Sequence, residues 1–181
     1  MQKLFCSFLS IAFLLLNGCG YHLTGIQGLP AAVAGKTIAI AVFANKSYRA
    51  NVGAMLTESL VDETARRSGG LVVPEESADL VLDGTVLGYT TSAVSYSAAD
   101  TVKEYRAVMT VEATLAEKGT RKVIWKGILS WSQDYPANTN FAVQQNGVDT
   151  IAVQQNSEEA AIREICQKVA LQLYQKISQG F

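Results

Sequence analysis

The sequence is poor in the residues that most enzyme chemistry requires. It holds a single histidine, His22, and three cysteines, Cys6, Cys19 and Cys166. One imidazole leaves little for acid–base work near neutral pH. The cysteines form neither a CxxC pair nor a zinc-ligand spacing, so no metal and no cofactor is expected. No GxSxG, HExxH or GxxxxGK[ST] motif occurs. Asp79 and Asp83 are the one carboxylate pair that could serve a reaction, and acids at strand ends are ordinarily solvated. The chain reads as a non-enzyme. Charge is scarce as well, at 17% of residues and a net −1. That excludes a generally basic nucleic-acid binder and an acidic, disordered chain. No nucleic-acid partner is expected.

What the chain does have is hydrophobicity, 49% over 181 residues, and it is unevenly placed. Residues 1–18 read as a signal peptide. Lys3 supplies the positive start and an apolar run extends from Leu4 to Leu16. That run is too short to span a bilayer, which takes about 20 residues. It ends in Leu16-Asn17-Gly18-Cys19, which resembles a bacterial lipobox. That resemblance implies cleavage before Cys19 and acylation of its thiol. Ordinary secretion, with Cys19 free or in a disulfide, is the alternative. Each buried CH₂ contributes about 0.8 kcal/mol, so two acyl chains already make a firm anchor. Gly20 stands where lipoproteins retained at the inner membrane typically carry Asp. The expected location is therefore the outer membrane, lipid-anchored on its periplasmic side.

Residues 19–35 read as a lipidated tether with glycines at 20, 25, 28 and 35. Fully extended, residues 20–35 reach roughly 50 Å at about 3.3 Å each. Residues 36–181 suit one domain. The apolar, β-branched run 37–44 predicts a strand covered by other elements. A helix is expected over about 51–67, with Val52, Met55, Leu56 and Leu60 on its apolar face and Arg66-Arg67 at its C-terminal end. Gly69-Gly70 closes it. A strand at about 78–89 completes a β-α-β opening.

The cleanest strand follows. Tyr105, Ala107, Met109, Val111, Ala113 and Leu115 alternate with Arg106, Val108, Thr110, Glu112 and Thr114. A period of two means one buried and one largely wet face. A turn at 117–120 leads into a strand over 122–131, with Val123, Trp125, Gly127, Leu129 and Trp131 on one face and Lys122, Lys126, Ser130 and Ser132 on the other. Residues 134–156 are polar and are expected to be irregular. There Ala142-Val143-Gln144-Gln145-Asn146 recurs as Ala152-Val153-Gln154-Gln155-Asn156. It reads either as a duplicated loop without chemistry or as a Gln/Asn-rich contact loop. Asn156 or Ser157 is expected to cap a last helix over about 158–178. Its stripe is Ile162, Ile165, Val169, Leu173 and Ile177, and Cys166 is expected to be a buried thiol in that helix.

Several of these residues together resemble the LPS-assembly lipoprotein family (LptE). They are Cys19-Gly20-Tyr21-His22-Leu23, Leu29-Pro30, Ala78-Asp79-Leu80, and Glu104-Tyr105 followed by Met109 to Leu115. The resemblance implies an α+β two-layer sandwich, with two helices packed on one face of a four-stranded mixed sheet in the order β-α-β-β-β-α. It implies a partner, the outer-membrane β-barrel of the LPS-transport machine (LptD-like), which the lipoprotein plugs and helps to assemble. It implies lipopolysaccharide as ligand and no catalysis. The family's lipid contacts use basic residues in two loops that are not basic here, so Lys103 and Arg106, beside the first of them, are the candidate phosphate contacts. Tyr96, Gln144, Gln145, Asn146, Gln154 and Gln155 are the candidate barrel contacts, because barrel lumens are polar. A lipoprotein adaptor or pilotin of another outer-membrane secretion machine is the rival reading.

Overall fold

A computed structural model of the protein describes residues 33–68, 72–137 and 150–179. Its elements are β1 (Ile38–Ile40), β2 (Ala44–Asn45), α1 (Val52–Ser68), a 3₁₀ turn (Glu75–Ser77), β3 (Leu80–Tyr96), β4 (Val102–Glu117), β5 (Val123–Pro136) and α2 (Thr150–Gln179). The sheet runs β1-β3-β4-β5, with β2 also paired to β3. β1 and β2 lie parallel to β3, and β3, β4 and β5 are mutually antiparallel. Both helices pack on one face, so the expected α+β sandwich and element order are what the chain adopts.

The alternation of β4 sets the layers. Ala107, Met109, Val111, Ala113 and Leu115 are fully buried under the helices. From α1 come Val52, Leu56 and Leu60, spaced one turn apart, and from α2 Ile162, Ile165, Val169, Leu173 and Ile177. Cys166 sits fully buried in that same stripe, and burial pushes its thiol up to about 12. Its reading as a core thiol is borne out.

The strand expected over 37–44 is broken in two. The interruption lets Phe43 turn inward, where it is 2% exposed. Its ring lies over Gly84 of β3: a Cβ at that position would stand 2.3 Å from the ring and 2.4 Å from the Glu112 carbonyl oxygen. The first strand is pinned at its start by Asp79. Its carboxylate accepts from the Thr37 backbone N–H and hydroxyl, both at 2.9 Å, which holds it below the usual carboxylate range. Lys36 reaches the far side of the sheet end, 2.9 Å from Glu117.

Two bulges redirect side chains in a way that periodicity alone does not reveal. A register shift between Val86 and Gly88 leaves Leu87 as the extra residue and returns Tyr89 to the buried face. Another, between Leu115 and Ala116 opposite Trp125 and Val123, turns Val123 outward. Val123, which simple alternation puts on the face of Trp125 and Leu129, is 54% exposed.

The last helix corrects a second expectation. It starts at Thr150, so Asn156 and Ser157 lie within it and are not at its N-terminus. The second copy of the repeat, residues 152–156, is helical and not part of an irregular loop. No Gly or Pro interrupts residues 148–179. Asn and Ser inside a helix cost only about 0.5 kcal/mol each relative to Ala, too little to stop it.

Candidate functional site

With both helices on one side, the other face of the sheet has no cover among the described residues. Its side chains come from the polar parity of each long strand. Thr85, Thr90 and Ser92 of β3 stand opposite Glu112, Val108 and Arg106 of β4. Beyond them lie Lys126, Ile128, Ser130, Ser132 and Asp134 of β5, all exposed. The charges here are neutralised in cross-strand pairs. Arg106 clamps Asp134 with two hydrogen bonds, Nε to Oδ1 at 2.6 Å and Nη2 to Oδ2 at 2.7 Å. Those bonds raise the Arg106 pKa and hold Asp134 below its ordinary value. Lys126 stands 3.2 Å from Glu112. The result is a hydroxyl-rich surface, close to neutral, with Ile128 as its most exposed apolar side chain at 64%.

Lys103 and Arg106 do not stand in one unbroken ladder. Both are exposed, but Arg106 lies in the regular ladder opposite Ser92 and Asp134, whereas Lys103 is the extra residue of a bulge between Glu104, opposite Ser95, and Val102, opposite Tyr96. Lys103 lies at the hairpin end of the sheet, where its carbonyl accepts from the Ala137 N–H at 2.8 Å. Tyr96 ends β3 opposite Val102 and is well exposed. Gln154 and Gln155 project from the early turns of α2, half-buried and exposed respectively. Cys19, Gln144, Gln145 and Asn146 lie outside the described residues.

Sequence reasoning missed a polar cluster beneath the hairpin end. The Tyr89 hydroxyl donates to Glu158 Oε1 at 3.0 Å, and Arg49 approaches the other carboxylate oxygen at 3.9 Å. Tyr48 tilts against Tyr89 with centroids 5.8 Å apart, and Tyr105 stacks on Tyr135 at 5.7 Å. Burial raises the Tyr89 hydroxyl well above its ordinary pKa and pushes Tyr135 up to about 12. Both remain neutral at any physiological pH, so Tyr89 keeps the proton it donates to Glu158, which suits a structural clasp. Beside it a cleft of about 270 Å³ opens between Arg49, Ala50, Asn51, Met55, Glu159 and Ile162. The signal that the sequence does carry is the absence of Gly and Pro over residues 148–179, which lets α2 begin at Thr150.

The model of the lipopolysaccharide-assembly family LptE matches residues 35–177 of the chain. The chain belongs to that family. LptE proteins are lipopolysaccharide-assembly lipoproteins, associated with the outer membrane and not an enzyme family. No curated protein matches the chain with significance. Rare lipoprotein B from Shewanella oneidensis is similar in structure, with a TM-score of 0.50 and 19% identity over 78% of this chain and 94% of that one. A putative lipoprotein from Caulobacter crescentus gives 0.44 and 21%, covering 79% and 92%. A minor lipoprotein from Acinetobacter baumannii gives 0.45 and 19%, covering 80% and 91%. At such identities the first likeness supports the LptE fold and nothing finer.

Proposed function

We propose that this chain is anchored through acylated Cys19 to the periplasmic side of the outer membrane. There it plugs the LPS-transport β-barrel, assists its assembly and helps deliver lipopolysaccharide to the cell surface. Membership of the lipopolysaccharide-assembly family carries the reading. The open sheet face supports it physically. A plug has to meet a polar lumen without burying unpaired charge. A hydroxyl-rich face whose cations are already matched by carboxylates satisfies both conditions. Tyr96 and the glutamines at 144, 145, 154 and 155, with Asn146, extend the same polar character as barrel contacts. Co-purification of the anchored chain with a large outer-membrane β-barrel is the expected result. Recovery of only secretin or inner-membrane components would replace this reading with the pilotin one.

For lipopolysaccharide, the reading assigns phosphate contact to the hairpin end, with Lys103 available and Arg106 able to engage by exchanging Asp134. Reversing both as Lys103→Glu and Arg106→Glu is expected to weaken lipopolysaccharide binding about tenfold, or about 1.4 kcal/mol. Asp134→Asn frees the guanidinium and is expected to strengthen it. Binding unchanged in both variants would move the contact away from this end of the sheet.

A further inference from the structure

β5 is an edge strand, and its free edge carries a pattern that complements itself. No described strand bonds its outer side. The phase of the ladder is fixed by the Ala137 N–H to Lys103 carbonyl bond and by an unbroken register from Glu104 opposite Pro136 to Leu115 opposite Trp125. In an antiparallel ladder, alternate residues exchange both bonds with the neighbour and the intervening ones direct theirs outward. The odd-numbered residues of β5 therefore bond β4. Lys126, Ile128, Ser130, Ser132 and Asp134 turn N–H and C=O to the free edge. The described contact on that edge is a 3.3 Å bond from the Gln133 side-chain amide to the Asp134 carbonyl, which an incoming strand would displace. Pro136, which has no N–H to offer, falls at the outward-facing end, where it costs nothing in the ladder.

We propose that this edge is a self-association site, at which a second copy of the chain adds its own β5 antiparallel about a two-fold axis at Ser130. The arrangement is isologous, so every contact occurs twice. It places Lys126 of each copy opposite Asp134 of the other, and Ile128 opposite Ser132. Within each copy Asp134 is clamped by Arg106, and Lys126 lies near Glu112. Charge therefore alternates across the seam as Arg106, Asp134, the second copy's Lys126 and the second copy's Glu112. On the helix side Trp131 meets Leu129 of the other copy. Sliding the register by two residues sets Lys126 against Ser132 or Pro136 and removes both charge pairs. A lysine on an exposed edge ordinarily discourages strand addition. Here the same strand supplies the matching carboxylate, which is why a second copy fits this edge better than an unrelated strand. The inference does not depend on the barrel reading.

Cysteine cross-linking of the full chain tests it. A two-fold at Ser130 brings residue 130 against itself with Cα atoms about 5.5 Å apart, within the disulfide range of about 4.4–6.8 Å. Ser130 is exposed, and its hydroxyl meets Thr110 at 3.3 Å, so Ser130→Cys is tolerable. Mild oxidation of Ser130→Cys should yield a disulfide-linked dimer. Ser132→Cys, which faces Ile128 and not itself, should yield about tenfold less. Adding Lys126→Asp to Ser130→Cys should lower the dimer about tenfold, and Lys126→Asp with Asp134→Lys should restore it. Equal dimer from positions 130 and 132, no dimer from 130, no rescue by the double exchange, or a disulfide to a different protein would each overturn the proposal.

Discussion

Replacing Cys19 by alanine, in a chain exported behind a cleavable signal that needs no cysteine, is expected to abolish membrane attachment and leave the fold intact. The size of the effect follows from the anchor. Two or three acyl chains each contribute about 0.8 kcal/mol per buried CH₂, more than any peripheral contact of this domain could replace. The fold is expected to survive without the anchor, because among the described residues the core already closes at Val33, which is fully buried and lies well beyond Cys19. Flotation with lipid vesicles checks the first part and circular dichroism the second. The processed wild-type chain should float with the vesicles, and the Cys19→Ala chain should remain at the bottom with an unchanged spectrum. If it still floats, the anchor lies elsewhere and the lipobox reading fails.

Gly84→Val is expected to be the most damaging single substitution on the sheet, lowering stability by roughly 3 kcal/mol or more. The added Cβ meets two obstacles of different kinds. The Phe43 ring at 2.3 Å could rotate, although Phe43 is buried and has little room. The Glu112 carbonyl at 2.4 Å is backbone of the adjacent strand and cannot yield without opening the β3–β4 ladder. Natural domains have only about 5–15 kcal/mol to lose. The midpoint of urea unfolding should therefore fall sharply while the slope stays the same. Adding Phe43→Leu should recover only part of the loss, because the carbonyl contact persists. A midpoint within error of wild type would mean that the strands can separate here at little cost, contrary to the packing described.

Much of this architecture is legible in the residues themselves. The alternation from Tyr105 to Leu115 named the buried face of β4 correctly, and the stripes of both helices were readable at spacings of three and four. The functional face was less legible. Lys103 and Arg106 lie three positions apart and look like neighbours in sequence, yet Arg106 is held in the regular ladder and Lys103 falls on a bulge at the hairpin end. Arg106 looks like a free cation until β5 brings Asp134 beside it from 28 residues away. The polar repeat reads as loop because its Asn156 and the Ser157 after it resemble caps, and only packing of the extended α2 puts Glu158 against Tyr89.

By itself, then, the sequence determined the features that depend on near neighbours along the chain. These are the class of each element, the order β-α-β-β-β-α, and the apolar faces that close the two layers; the proposed export and acylation signal is likewise a local pattern. Tertiary structure decided which residues share a surface. The physical reason is that register is not local. A single bulge at Leu87 or near Trp125 reverses the facing of every residue beyond it. Phe43 over Gly84, the Arg106–Asp134 clamp and the outward phase of the β5 edge all follow from where those shifts fall.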